Sequence, residues 1–265
     1  MVSEYPDLTK HDFSSDSKDK KFKGLLAKAT QGDADAQFNL AICYDNGEHV
    51  AKDDKKAAYW YTLSAEQGNA DAQNALAYCY YCGEGVRMNH KKAINLYTLS
   101  AEQGNDVAQC NLGQCYFSGE GVQKDHKKAV DLYTKAAMQG NDIAQCNLGL
   151  CYFNGEGVEC DYEKAVYWWM KAATQGNDIA QCNLGNCYYD GKGIAKDDVK
   201  AVYWYMKSAK QGNSSGQNNL GNRYYKGEGV KKDLEKAIYW YTKASEQGNK
   251  QALSSLQYLT FTLRS

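Results

Sequence analysis

Ten cysteines are the residues best equipped for chemistry in this 265-residue chain, and their spacing decides which chemistry is open to them. Cys79-Tyr80-Tyr81-Cys82 spells C-x-x-C with His90 further on, the outline of a dithiol redox centre or of part of a metal site. A redox dithiol needs a strand-to-helix setting and a tetrahedral metal needs a fourth ligand, and the sequence offers neither. Cys43, Cys79, Cys115, Cys151 and Cys187 recur at a fixed interval, with Arg223 breaking the column, and Cys110, Cys146 and Cys182 form a second column. On a helix Cys110 and Cys115 point in different directions, so they can share neither a disulfide nor a metal ion unless the helix melts. The first column reads as small buried hydrophobes. Ser15-Asp16-Ser17-Lys18 spells S-x-x-K, a nucleophile with a nearby base, but no S-D-N or K-T-G partner accompanies it. The Gly-Glu-Gly-Val loops lack the lysine and spacing of a phosphate cradle, and His90 and His126 read as exposed residues beside a helix cap. No catalytic centre, cofactor site or metal site is expected.

The elements that carry these residues repeat. Gln-Gly stands at Gln31, Gln67, Gln103, Gln139, Gln175, Gln211 and Gln247, always 36 residues apart. Six units follow, at 31-66, 67-102, 103-138, 139-174, 175-210 and 211-246. Half a unit precedes them at 16-30 and another follows at 247-265, each read as a cap helix, and a polar segment, 1-15, reads as flexible. Within 139-174, Ala144, Leu148, Cys151 and Tyr152 recur at helical spacing and predict a helix A with one apolar face. Ala165, Val166, Trp168, Trp169, Ala172 and Ala173 predict a helix B whose stripe is broad enough to bury on two sides. Gly155 and Gly157 end helix A, Asp161 caps helix B, Gly176 ends it, and Asn177 caps the next helix A. Such short links make consecutive helices antiparallel neighbours. A helix pair this small buries its stripe only against stacked copies, which predicts an all-α solenoid.

Composition narrows the function. Lys plus Arg number 31 against 32 Asp plus Glu, a net charge of −1 that advertises neither nucleic acid nor membrane. Hydrophobic residues make up 43%, enough for a substantial core, and Pro6 is the single proline. The first twenty residues are polar and charged, no apolar run could cross a bilayer, and the expectation is a cytoplasmic protein with reduced thiols.

The pattern A-x-Q-x-x-L-G-x-x-Y-x-x-G-x-G-V, then D-x-x-K-A, then an aromatic and K-A-A-x-x-G, resembles the Sel1-like repeat. It is carried by Ala144, Gln145, Leu148, Gly149, Tyr152, Gly155, Gly157 and Val158, and then by Asp161, Lys164, Ala165, Trp168, Lys171, Ala172, Ala173 and Gly176. Ala41 and Ala77 depart from the pattern at the helix-A glycine, Gly216 at the alanine, Leu253 at the glutamine, and His49 at the second loop glycine, where a slightly different loop is expected. The resemblance implies a right-handed superhelical α-solenoid of antiparallel helix pairs, related to tetratricopeptide repeats, in proteins that act as adaptors. One cysteine-rich branch is associated with penicillin binding or hydrolysis, the alternative function. Its disulfide would need cysteines where this chain has Ala137 and Gln145.

Positions that never vary among the six units answer to the framework. They include Gln109, Leu112, Tyr116, Gly119, Lys128 and Ala129, and the glutamine column reads as a buried side chain satisfying backbone groups between helices. By alignment with related helical-pair solenoids, the concave surface is lined by Val107, Cys110, Gln114, Phe117 and Ser118 of the third unit. The next two units add Ile143, Cys146, Leu150, Phe153 and Asn154, then Ile179, Cys182, Asn186, Tyr189 and Asp190. Tyr78, Tyr81, Cys82, Asn222, Tyr225 and Lys226 flank them, with Asp35, Asp45 and Asp71 toward one end and Arg223 toward the other. This surface is the expected seat of a partner protein or peptide, with Phe117, Leu150, Phe153, Tyr189 and Tyr225 as anchors. The other reading is that curvature presses the A helices together and buries these residues against one another. Nucleic acid is not an expected partner, and the oligomeric state is left open.

Overall fold

A computed structural model describes residues 17–262 of the chain. The segment 1-15, with the serine of S-x-x-K, and Arg264 lie outside them. The described residues form fourteen α-helices and no strand. They divide between Asp125 and His126 into two compact units. The first holds α1 (Ser17–Thr30), α2 (Ala34–Asn46), α3 (Asp54–Glu66), α4 (Ala70–Cys82), α5 (His90–Glu102) and α6 (Asp106–Ser118). The second holds α7 (His126–Met138), α8 (Asp142–Asn154), α9 (Tyr162–Gln175), α10 (Asp178–Asp190), α11 (Asp198–Lys210), α12 (Ser214–Lys226), α13 (Leu234–Glu246) and α14 (Lys250–Thr262). Even-numbered helices are A, odd-numbered are B, and within each unit every helix packs on its sequence neighbours. None is long and apolar enough to cross a membrane.

The helix ends follow from the residues predicted to make them. Asn177 accepts a hydrogen bond from the Ala180 N–H at 2.9 Å to open α10, and Gly191 closes it at φ 71°. Asp197 does for α11 what Asp161 does for α9, accepting from the Lys200 N–H at 2.9 Å. His49 corrects the expectation of a different loop: it takes φ 67°, the same left-handed turn that glycine makes in the other units.

The Gln-Gly marker has a structural cause. Gln181, buried on α10, donates from Nε2 to the Ala173 carbonyl of α9 at 3.1 Å. Its own oxygen accepts from Nε2 of Gln211, the marker residue after α11, at 2.9 Å. Gln37 repeats this with Ala29 and Gln67 at 3.1 and 2.7 Å. Gln73, Gln145 and Gln217 do the same, so one buried amide ties three consecutive helices in each of these repeats, a demand that accounts for the constancy of both glutamines.

In the second unit the helix-A glycine lets a bulky helix-B ring close on helix A, whereas in the first unit Ala41 on α2 and Ala77 on α4 hold that position, fully buried. A Cβ on Gly185 would sit 2.6 Å from the Tyr205 ring, and one on Gly149 equally close to Trp169. The cores are Leu–Ala–aromatic throughout: Leu40, Tyr44, Trp60 and Tyr61 in the first unit, and Leu148, Trp169, Leu184, Tyr205 and Tyr241 in the second. At the terminal helices Phe22 and Leu259 are buried as their cap role requires, and Leu25, Leu26 and Leu256 are half-buried. Leu253 is instead exposed, because no described helix packs over the face that its glutamine counterparts turn toward a helix B.

Candidate protein-binding faces

The positions read as concave fall into three groups once their surroundings are seen. Cys110, Cys146 and Cys182 are buried, so they belong to the packing and are withdrawn from the groove. Burial pushes the Cys182 thiol up to about 12 and makes it unreactive. Its neighbours in the first column behave alike: Cys79, Cys151 and Cys187 are raised to about 12 and Cys115 to about 11, each chiefly by burial. Only Cys82 and Cys160 are exposed thiols, so Ellman's reagent should titrate two cysteines in the folded protein and ten after denaturation. A folded-state count above two would show that the thiol packing is looser than described.

A second group is tied into the framework by polar bonds. Asn186 accepts from the Tyr205 hydroxyl at 2.7 Å and from Asn219 at 3.0 Å, and Asn222 accepts from the Tyr241 hydroxyl at 2.7 Å. Tyr81 stacks on His90 with ring centroids 5.1 Å apart and donates its hydroxyl to the Glu120 carboxylate. That contact holds the Tyr81 phenol well above its usual range. His90 is therefore half-buried against an aromatic ring, and the first residue of α5, where the sequence reading had it exposed. Among the described residues no cluster of His, Cys, Asp or Glu could hold a metal ion.

The third group faces solvent. In the first unit it includes Tyr78 on α4, 49% exposed, with Val107 and Gln114 on α6. In the second it includes Ile143 and Leu150 on α8, 55% and 38% exposed, Ile179 on α10, 54% exposed, and the polar Asn154 and Asp190. The aromatic anchors lie between these extremes. Phe117, Phe153, Tyr189 and Tyr225 are half-buried. Phe153 packs on Trp169 and Tyr162 at 5.3 and 5.0 Å, and the Arg223 guanidinium lies 3.8 Å above the Tyr189 ring. Arg223, expected to charge one end of the groove, is itself buried and paired with Glu228.

A family-level comparison matches the Sel1 repeat six times, over residues 34–69, 70–105, 106–141, 142–177, 178–213 and 214–249. The chain belongs to the Sel1-repeat family. The family's frame begins each repeat at the start of helix A, whereas the Gln-Gly marker begins it at the preceding turn; the period is the same. Among solved structures, this Sel1-repeat chain is similar to a protective antigen of uropathogenic Escherichia coli displaying an SLR fold. The two are 38% identical, with a TM-score of 0.82, over 90% of this chain and 51% of the antigen. The chain thus spans about half the length of that protein. A Sel1 repeat protein from Oxalobacter formigenes is 34% identical at a TM-score of 0.79, over 86% of this chain and 91% of that one. A search of curated proteins finds no match.

Two surface features of the Sel1 repeats escaped the sequence reading. Tyr167, Tyr203 and Tyr239 on the B helices are half exposed, each edge-on to the following tryptophan at 4.9–5.0 Å. The Tyr-Trp dipeptide, repeated at the unit period, is the signal that could have found them. The second is a cavity of about 310 Å³ between α12 and α14, walled by Tyr225 and Tyr258 and floored by Asn222, Ser254 and Ser255. It opens because Ser255 stands where Asn219 fills the preceding repeat, a size difference that pattern reading passes over.

Proposed function

We propose that this Sel1-repeat protein is a non-enzymatic interaction scaffold that holds a partner polypeptide against the solvent-facing side chains of its A helices. The observation that carries the reading is the exposure of Ile143, Leu150 and Ile179 together in the second unit, on helices whose cores are built from other residues. Tyr78 and Val107 are their counterparts in the first unit. Sel1 repeats commonly serve as protein-interaction scaffolds, which agrees with this assignment. The same proposal places the protein in a reducing compartment such as the cytoplasm, supported by ten cysteines that are all free thiols.

The test is capture from cell lysate with mass spectrometry, comparing wild type with a Tyr78→Ala, Leu150→Ala, Ile179→Ala variant. All three side chains are at least 38% exposed, so the variant should keep the wild-type unfolding midpoint. Each anchor that is a hot spot should weaken capture by about 2 kcal/mol or more. Retention of the same partner by both proteins would remove the A-helix faces from consideration.

A further inference from the structure

The charge of the chain is not evenly spread between its two units. Residues 1–125 carry 13 Lys plus Arg against 18 Asp plus Glu, a net −5, whereas residues 126–265 carry 18 against 14, a net +4. The near-neutral total hides this opposition.

In the second unit lysines lie over aromatic rings on both kinds of helix, among them Lys171 and Lys207 over the Tyr-Trp pairs of the B helices, and the inner aromatics have their share. The Lys192 ammonium lies 5.4 Å from the Phe153 ring centroid, Lys196 lies 5.2 Å from Tyr189, and Lys232 lies 5.7 Å from Tyr225. Lys226 lines the cavity between α12 and α14 beside Tyr225. Lys196 is neutralised by Asp198 at 3.8 Å, and Arg223 by Glu228. Among the described residues no carboxylate forms an ion pair with Lys192, Lys226 or Lys232, and all three are exposed. Lys192 is also out of pattern: the other five loops place Glu48, Glu84, Glu120, Glu156 and Glu228 at its position. Where the first unit sets the Glu120 carboxylate against Tyr81, the second sets a lysine against Phe153. The acidic residues nearest in sequence are Asp233, which pairs with Lys236 at 2.9 Å, Glu228, which pairs with Arg223, and the exposed Asp190 at the end of α10.

Two unpaired cations beside an aromatic-walled cavity, Lys226 in its lining and Lys232 over Tyr225, with a third, Lys192, farther along the same unit at Phe153, are complementary to an extended segment that carries carboxylates on either side of an apolar side chain. We propose that the second unit's A-helix face recognises an acidic peptide segment, whose carboxylates meet Lys192, Lys226 and Lys232 and whose apolar side chain enters the cavity between α12 and α14. This rests on the scaffold reading above and gives its partner a chemistry.

The test uses the full chain and a fluorescein-labelled peptide of three Glu-Glu-Phe-Gly blocks, with a Gln-Gln-Phe-Gly peptide as control, read by anisotropy. The variant is Lys192→Glu, Lys226→Asp, Lys232→Met; each new residue is one that another repeat already carries at that position, so folding is preserved. The Glu peptide should bind about tenfold tighter than the Gln peptide at low salt, and the preference should vanish in the variant and fade as salt is raised. Equal binding of the two peptides, failure of the Glu peptide to bind, or undiminished binding by the variant would overturn the proposal. The lysine variant is also carried through the lysate capture. A partner kept by it but lost by the Tyr78, Leu150, Ile179 variant would leave the scaffold reading standing and the acidic partner refuted.

Discussion

Replacing Trp169 by alanine should lower the unfolding free energy by about 4 kcal/mol, the largest effect expected of any single truncation here. Trp169 is buried, packs face to face with the space left by Gly149, touches Phe153, and donates its indole N–H to the Cys146 carbonyl at 3.1 Å. Its loss would leave a cavity and remove a second hydrogen bond from a carbonyl that the α8 ladder already engages. Denaturant titration would read the loss as a lower midpoint, and hydrogen exchange would place it in α8, α9 and α10. An unchanged midpoint would mean that the second unit does not rest on this contact. The residue also shows how one repeat adjusts to another demand. In the fifth and sixth units a tyrosine stands here, and its hydroxyl is received by Asn186 or Asn222. In the fourth unit the receiving position is Leu150, which accepts nothing, and an indole that turns to the backbone replaces the phenol. Trp169→Tyr should therefore be rescued by adding Leu150→Asn, a coupling that a double-mutant cycle would measure.

Gly193→Ala should cost about 3 kcal/mol, whereas Gly191→Ala, two residues away in the same loop, should cost about 1 kcal/mol. Both glycines are left-handed, at φ 67° and 71°. They differ in what a Cβ would meet. On Gly191 its nearest neighbour would be the Lys196 side chain at 3.4 Å, an ordinary contact. On Gly193 it would lie 2.2 Å from the Tyr162 carbonyl oxygen and 2.4 Å from its carbon, backbone atoms that cannot step aside. The loop of one repeat is thus seated on the first turn of the preceding helix B. Thermal unfolding of the two single variants checks the difference, and equal losses would show that the seat is not tight.

Local chemistry was readable without coordinates wherever one residue type has one physical use. The residue types and spacing of Asp161, Asn177, Gly155 and Gly176 predict caps and terminators, and each occupies that role. The glutamine column predicts buried side chains that satisfy backbone groups, and Gln181 and Gln37 do this. The candidate face was less legible. Phe117, Leu150, Asn186 and Cys182 share the inward columns of the A helices, yet one is half-buried, one exposed, one bonded and one buried. Their fates depend on partners a full repeat away: Asn219 on Asn186 and Arg223 on Tyr189. Periodicity assigns a residue to a face but not to a depth in it.

The sequence by itself determined the architecture, because a 36-residue period with capped, short-linked helices leaves each pair an apolar stripe that only a stacked copy can bury. The same spacing underlies the expectation that the two cysteine columns form no shared site, because members of a column sit a full repeat apart and Cys110 and Cys115 diverge on their helix. Tertiary structure alone decided which inward side chains meet solvent, that Arg223 is buried, and that three lysines stand unpaired beside aromatic rings. The reason is geometric: composition within a helix is local, whereas the depth of a side chain and the pairing of its charge are set by the next repeat's residues, whose distance in sequence hides their closeness in space.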